Sequence, residues 1–218
     1  VVSYTVEYKS PSRTEILNKI AATKRKRVAA ISVHKASNDN IYQPVLPDMI
    51  NCFRSELEAI NGKCIVCSNN ELLIQQLKNL ISEKQLSSIF CKDKEILNFL
   101  KNNGINCSNE VSDFTEMQAG ITSCEFLVAR TGSVVVSSAG DSGRSMNVFP
   151  PIHLVLADSD QLVQFPEDAL VAVQSKYKNN LPSTVTTITG PSRTADIEKT
   201  LVLGAHGPKE LVVFLSLV

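Results

Sequence analysis

The sequence predicts an α/β fold: a mostly parallel, Rossmann-like sheet flanked by helices, with an additional helix at the N-terminus. Three observations lead there. Between Asp48 and Gly104, short apolar runs alternate with helix-period segments, the pattern of crossover units that build a parallel sheet. From Phe126 onward, further strand-like runs are separated by Gly and Pro turns. The 218 residues, 43% of them apolar, suffice to bury a core without disulfide staples. Residues 1–35 read as a basic helical segment and residues 36–218 as the α/β domain.

The elements follow in order. Ser12-Arg-Thr-Glu15 has capping-box spacing, and Ile16, Leu17, Ile20 and Ala21 continue at helical spacing. Lys24 to Arg27 then fall where a helix would end, which suits its dipole. Asp48 opens a helix whose Ile50, Phe53, Leu57 and Ile60 share one face, and Gly62 stops it. Cys64–Cys67 is a strand, Glu71–Ile81 a helix, Ser88–Cys91 a strand, and Lys94–Leu100 a helix stopped by Gly104. Phe126–Ala129, Val134–Ser138 and His153–Ala157 are strands. Pro166–Gln174 is a helix with Pro at its start, and Val185–Ile188 and Leu211–Leu217 are the last strands.

Composition excludes several function classes. Basic and acidic residues both number 22, so the formal net charge is zero and gives no electrostatic footprint for nucleic acid. The apolar runs are too short for a membrane-spanning helix, and no signal peptide is visible. The six cysteines read as reduced, mostly buried thiols, which makes a cytoplasmic protein the expectation. Cys64 and Cys67 have the spacing of a redox or metal pair, but residues three apart on a strand point to opposite faces. No second pair completes a metal site, and His34, His153 and His206 lack ligand spacing. No metal is expected, nor any cofactor bound by this chain. No phosphate-binding loop, serine-hydrolase elbow or dinucleotide fingerprint is present.

Only two of the nine glycines precede Gly120, so the turns that could shape a site belong to the second half. Gly190-Pro-Ser-Arg-Thr194 follows a strand and is read as leading into a helix. A helix N-terminus there would offer backbone N–H groups to an anion, with Ser192 or Thr194 as cap and Arg193 as a two-pronged grip on carboxylate or phosphate. A capped turn with a solvated arginine is the plain alternative. Asp196 and Glu198 in the first turn suit the dipole without further role. Gly204-Ala-His206-Gly-Pro208 is a tight turn whose histidine could be a base, a ligand donor or a structural residue. Arg130-Thr131-Gly132-Ser133 reads as a two-residue hairpin turn whose hydroxyls would also suit a polar ligand. Asp141-Ser-Gly-Arg144 is a polar loop able to close over such a site.

These residues carry a resemblance. Ile188-Thr-Gly-Pro-Ser-Arg-Thr-Ala-Asp-Ile-Glu198 with Leu203-Gly-Ala-His-Gly-Pro-Lys209 resembles the C-terminal signature of the LUD-domain family, lactate-utilisation protein C type. Gly120-Ile-Thr122, Ala129 to Ser133, Gly143-Arg144, Pro150-Pro-Ile-His153 and the opening Ser12 to Leu17 fit the same pattern. Many members carry an acidic residue where Arg130 stands and Thr where Ser133 stands. The resemblance implies a sugar-phosphate isomerase/CoA-transferase-like fold. It also implies a part in a bacterial system that converts L-lactate to pyruvate, with iron–sulfur clusters on partner subunits. The expected ligand cleft combines Thr131, Gly132, Ser133, Arg144, Gly190, Ser192, Arg193, Thr194 and His206 around a small carboxylate, with His206 and Glu198 as candidate catalytic groups. Two alternatives stand beside it. One is a stand-alone CoA-transferase-like enzyme, with Glu125 or Glu198 as nucleophile, or a folate cyclo-ligase-like enzyme using the Gly190 loop. The other is a non-catalytic carboxylate sensor.

Overall fold

The computed structural model describes residues 11–24, 48–110, 114–142, 145–194, 202–204 and 206–217. It divides into two compact units, Val1–Gln43 and Pro44–Val218. The first carries helix α1, Pro11–Lys24, with a Glu15–Lys19 ion pair one turn apart. The helix begins before Ser12, which therefore lies inside the first turn and is not the cap. Pro11 tolerates the leading position because its missing N–H needs no partner there. Arg25 to Arg27 lie outside the described residues.

The second unit opens with α2, Met49–Ala59, where Asp48 caps the helix by accepting from the Asn51 N–H at 3.1 Å. Its end is set one residue before Gly62. Asn61 takes the left-handed conformation (φ 66°), and the Asn61 and Gly62 N–H groups return to the Glu58 and Leu57 carbonyls at 3.0 and 2.9 Å. Gly62 is there for space, since a Cβ would meet Leu57 Cδ1 at 2.3 Å. The chain continues through β1 (Lys63–Cys67), α3 (Asn70–Glu83), β2 (Ile89–Phe90) and α4 (Lys94–Asn102), which ends on the left-handed Gly104. Next come β3 (Ala119–Thr122), β4 (Phe126–Val128), β5 (Ser133–Ser137), β6 (Ile152–Asp158) and β7 (Leu162–Val163). α5 (Pro166–Tyr177), β8 (Val185–Ile188), β9 (Arg193–Thr194), β10 (Val202–Leu203) and β11 (Glu210–Ser216) complete it.

Five strands form one all-parallel sheet in the order β1-β11-β6-β3-β2. Its strands are apolar on both faces, as a doubly covered parallel sheet requires. Leu154 of β6 and Val212 and Phe214 of β11 pack under α3 and α4 with Leu77, Leu97 and Leu100. The alternate residues Val155, Leu211, Val213 and Leu215 face α2 and a second sheet, meeting Phe53, Leu57, Leu127 and Val134. That second sheet, order β7-β4-β5-β8, is mostly antiparallel, and the sequence pattern did not separate it from the first. α5 covers its far side through Ala169 and Val173. Each fully buried Leu, Val or Phe contributes roughly 1.5–3 kcal/mol, so helices and second sheet alike are held by the parallel sheet. Among the described residues no helix is long and apolar enough to cross a membrane.

Candidate functional site

The two Gly-Pro turns meet. The Ser192 N–H donates to the Pro208 carbonyl at 2.8 Å, and the Ser192 carbonyl accepts from the Gly204 N–H at 2.9 Å. The helix expected beyond Thr194 lies outside the described residues. Arg193 and Thr194 form β9, paired antiparallel with Leu203 and Val202 of β10. Backbone groups of Arg193 and Thr194 are thus engaged in this ribbon. Glu198 and Asp196, like Arg144, lie outside the described residues.

The interlocked turns and β8 enclose a cleft of about 340 Å³, within the usual range for small-ligand sites. Thr187, Thr189, Ser192 and His206 give it polar walls, Val148 gives it an apolar one, and no carboxylate among the described residues lines it. Lys209 and Glu210 N–H groups donate to the Pro151 carbonyl at 2.8 and 3.2 Å, which places the second Gly-Pro turn at the amino ends of β6 and β11. This differs from the carboxyl-end location usual in parallel sheets. The crevice at the carboxyl ends is about 570 Å³ but is lined by Glu95, Asp158 and Asp160. Burial and the neighbouring Asp160 push the Asp158 carboxyl up, so that crevice suits an anion poorly.

The Thr131–Ser133 turn adjoins the cleft from below. It is not a two-residue hairpin: a 3-10 turn, Ala129–Thr131, and Gly132 join β4 to β5. Ser133 is buried, and its hydroxyl bridges Thr131 Oγ1 at 2.7 Å and Thr189 Oγ1 at 2.9 Å. It therefore positions Thr189 beside Gly190 instead of facing solvent. Gly132 is left-handed (φ 59°) and lies on the backbone of α2, where a Cβ would stand 2.2 Å from Leu57 N. Gly190 (φ 83°) lies against Ile60, and the Arg193 guanidinium donates to the Ile60 carbonyl, complementing the negative end of α2. Arg193 thus stands outside the cleft wall, on α2.

Two buried polar groups stand out beyond the expected cleft: His153, which the sequence had not assigned to a site, and Glu125, weighed there as a transferase nucleophile. His153 on β6 is fully buried and shares a hydrogen bond from Nε2 to Thr122 Oγ1 at 2.8 Å, while its Nδ1 has no partner among the described residues. Burial lowers it to about 4, so the ring is neutral. Glu125, 8% exposed, accepts from Lys176 Nζ at 2.7 Å, Tyr177 OH at 2.7 Å and Ser137 Oγ at 2.5 Å. Burial raises its carboxyl, but these three donors outweigh it and hold the group below its ordinary value. A carboxylate tied down in this way is a weak nucleophile, which argues against a transferase role for it. An acidic residue inside the run Cys124-Glu-Phe-Leu-Val128 was the available signal.

All six cysteines are free thiols. Cys64 packs on the α2 side of the sheet and Cys67 on the α3 side, as alternation demands. Burial pushes Cys64 up to about 11 and Cys91 up to about 12, far from thiolate ligands. No cluster of three or more His, Cys, Asp or Glu among the described residues is placed to hold a metal ion.

Residues 92–216 match the LUD domain family, and the chain belongs to it. An uncharacterised protein of Neisseria meningitidis serogroup B is 36% identical over 104 residues, 48% of this chain and 44% of that one. Lactate utilization protein C of Bacillus licheniformis is 35% identical over 91 residues, covering 41% and 38% of the two chains. Its Bacillus subtilis namesake is 34% identical over 102 residues, covering 46% and 42%. The matches span less than half the length of each of these relatives. A crystal structure of a DUF162 family protein from Deinococcus radiodurans shares the fold with a TM-score of 0.58 at 17% identity, over 78% of this chain and 96% of that one.

Two outcomes follow for stability. Gly132→Ala forces a Cβ onto the α2 backbone and should cost more than the roughly 1 kcal/mol of an ordinary glycine replacement, whereas Gly140→Ala, with nothing within 4 Å, should be near neutral. Urea denaturation of both variants checks this, and equal midpoints would refute the contact. His153, neutral in the fold, gains a proton only near pH 4, while the unfolded chain gains one below about 6.5. Stability should therefore fall as pH drops from 6.5 to 5, by up to about 1.4 kcal/mol per pH unit. His153→Gln should flatten that slope, and an unchanged slope would show that another group sets it.

Proposed function

We propose that this chain is a cluster-free subunit of a bacterial cytoplasmic system that oxidises L-lactate to pyruvate, and that the cleft between the Gly-Pro turns receives a small carboxylate. The observation that carries the reading is the cleft wall itself: Thr189, Ser192 and His206 line it, with no carboxylate among the described residues there. Hydroxyl and imidazole donors of this kind orient a hydroxy or oxo acid, and the apolar Val148 suits its methyl group. The LUD-domain membership and the two relatives named lactate utilization protein C support the same reading.

Oxidation of lactate to pyruvate releases two electrons and two protons, and an electron carrier must take them. The thiols of this chain are dispersed over both faces of the sheet and held protonated by burial, which supports placing iron–sulfur clusters on partner subunits. Six free thiols also fit a reducing compartment.

Calorimetry with L-lactate and pyruvate tests the cleft. Ser192→Ala and His206→Ala should each weaken binding roughly tenfold, the value of about 1.4 kcal/mol in a lost polar contact. Unchanged affinity in both folded variants would remove the site. The redox assignment is tested on the anaerobically purified chain, which should be colourless, hold little iron and reduce dye with lactate only when partner subunits are added. Stoichiometric iron and sulfide, or lactate-driven dye reduction by the chain alone, would place the redox chemistry in this polypeptide.

A further inference from the structure

Glu125 stands at the start of β4, where its N–H donates to Val135 O at 2.7 Å, while Gln161 Nε2 donates to the Cys124 carbonyl at 2.6 Å. This fixes the carboxylate beside a cavity of about 140 Å³ under the C-terminal turn of α5, which shares only Asn147 with the walls of the Gly-Pro cleft among the described residues. Ser137, Ser142, Lys176 and Tyr177 also line it. Ser142 is 9% exposed, and its hydroxyl has no hydrogen-bond partner among the described residues. A buried hydroxyl left unpaired at a cavity wall indicates something that pairs with it.

The remaining hydrogen-bonding capacity describes the guest. Glu125 Oε1 already accepts from Ser137 and Tyr177, and Oε2 accepts from Lys176 alone, which leaves it one lone pair. Lys176 donates one of its three N–H bonds to Glu125, Tyr177 keeps acceptor capacity, and Ser142 can donate or accept. The site thus offers donors and acceptors close together. Among the described residues its charges cancel between Glu125 and Lys176. An added anion would stand against Glu125 and the negative end of α5, and an added cation against Lys176. A cavity of this volume admits a guest of about six non-hydrogen atoms, by comparison with the benzene-sized guest of a ~150 Å³ cavity.

We propose that this cavity is a second binding site, for a small uncharged hydroxy compound of the polyol or hydroxyketone class. Its hydroxyl groups donate to Glu125 Oε2 and Tyr177 Oη and accept from Ser142 and Lys176. The Lys176 ammonium, tied to Glu125 and pushed up by it, stays protonated, so binding is non-covalent.

Ligand-observed NMR on the full chain with glycerol and dihydroxyacetone tests this, with lactate and methylammonium as charged comparators. Glycerol or dihydroxyacetone should bind in the millimolar range. Ser142→Ala should weaken that binding severalfold, and Ser142→Leu, which fills the cavity, should abolish it. Circular dichroism and thermal midpoints verify that the variants fold. If the leucine variant does not fold, the alanine variant decides. His206→Ala should leave polyol binding unchanged. The proposal is overturned by absence of binding up to tens of millimolar, by undiminished binding in Ser142→Ala, by loss of binding in His206→Ala, or by displacement of the polyol from this cavity by lactate or methylammonium.

Discussion

The last turn of α2 anchors the polar half of the molecule. Phe53 and Leu57 bury that helix on the parallel sheet, and three features of the second half then seat on its end. Gly132 lies on the backbone at Glu56 and Leu57, Gly190 on Ile60, and the Arg193 guanidinium on the Ile60 carbonyl. Both glycines have positive φ and meet backbone atoms, so neither position tolerates a side chain without local movement. The hydroxyl bridge from Thr131 through Ser133 to Thr189 ties the two seats together. The cleft takes its shape from that arrangement, which is set by packing and backbone geometry more than by charge.

Most of the α/β framework was legible in the sequence because its strands bury both faces and its helices carry explicit stop signals. Asp48 and Gly104 cap or end helices by local chemistry that spacing alone reveals. The separate antiparallel sheet was not legible. Val134 to Val136 are buried on both sides and give no alternation to distinguish them from a strand of the main sheet. Arg193 misled for a related reason. A Gly-Pro-Ser-Arg-Thr string has the composition of a helix start, yet its Arg193 and Thr194 pair with Leu203 and Val202, eight and more residues away, as a ribbon. Long-range pairing of that kind leaves no local trace. The meeting of Ser192 with Pro208 was foreshadowed only by the expected cleft that combined Gly190, Ser192 and His206.

Electrostatics separates the concave surfaces. Among the described residues, the carboxyl-end crevice is acidic, the Gly-Pro cleft carries hydroxyls and one imidazole, and the charges at the Glu125 cavity cancel. A chain with equal numbers of acidic and basic residues can thus present sites of quite different selectivity, because local composition and desolvation, not net charge, decide what each accepts. Burial also keeps the thiols protonated on both sheet faces, which makes them packing residues.

The dependence of the cleft on α2 is most directly measured by hydrogen exchange on Gly190→Ala, whose Cβ would stand 2.9 Å from the Ile60 carbonyl oxygen. The account predicts faster exchange both in β8 and in the last turn of α2, together with loss of lactate binding. Exchange in both segments and lactate affinity indistinguishable from the unsubstituted protein would contradict it.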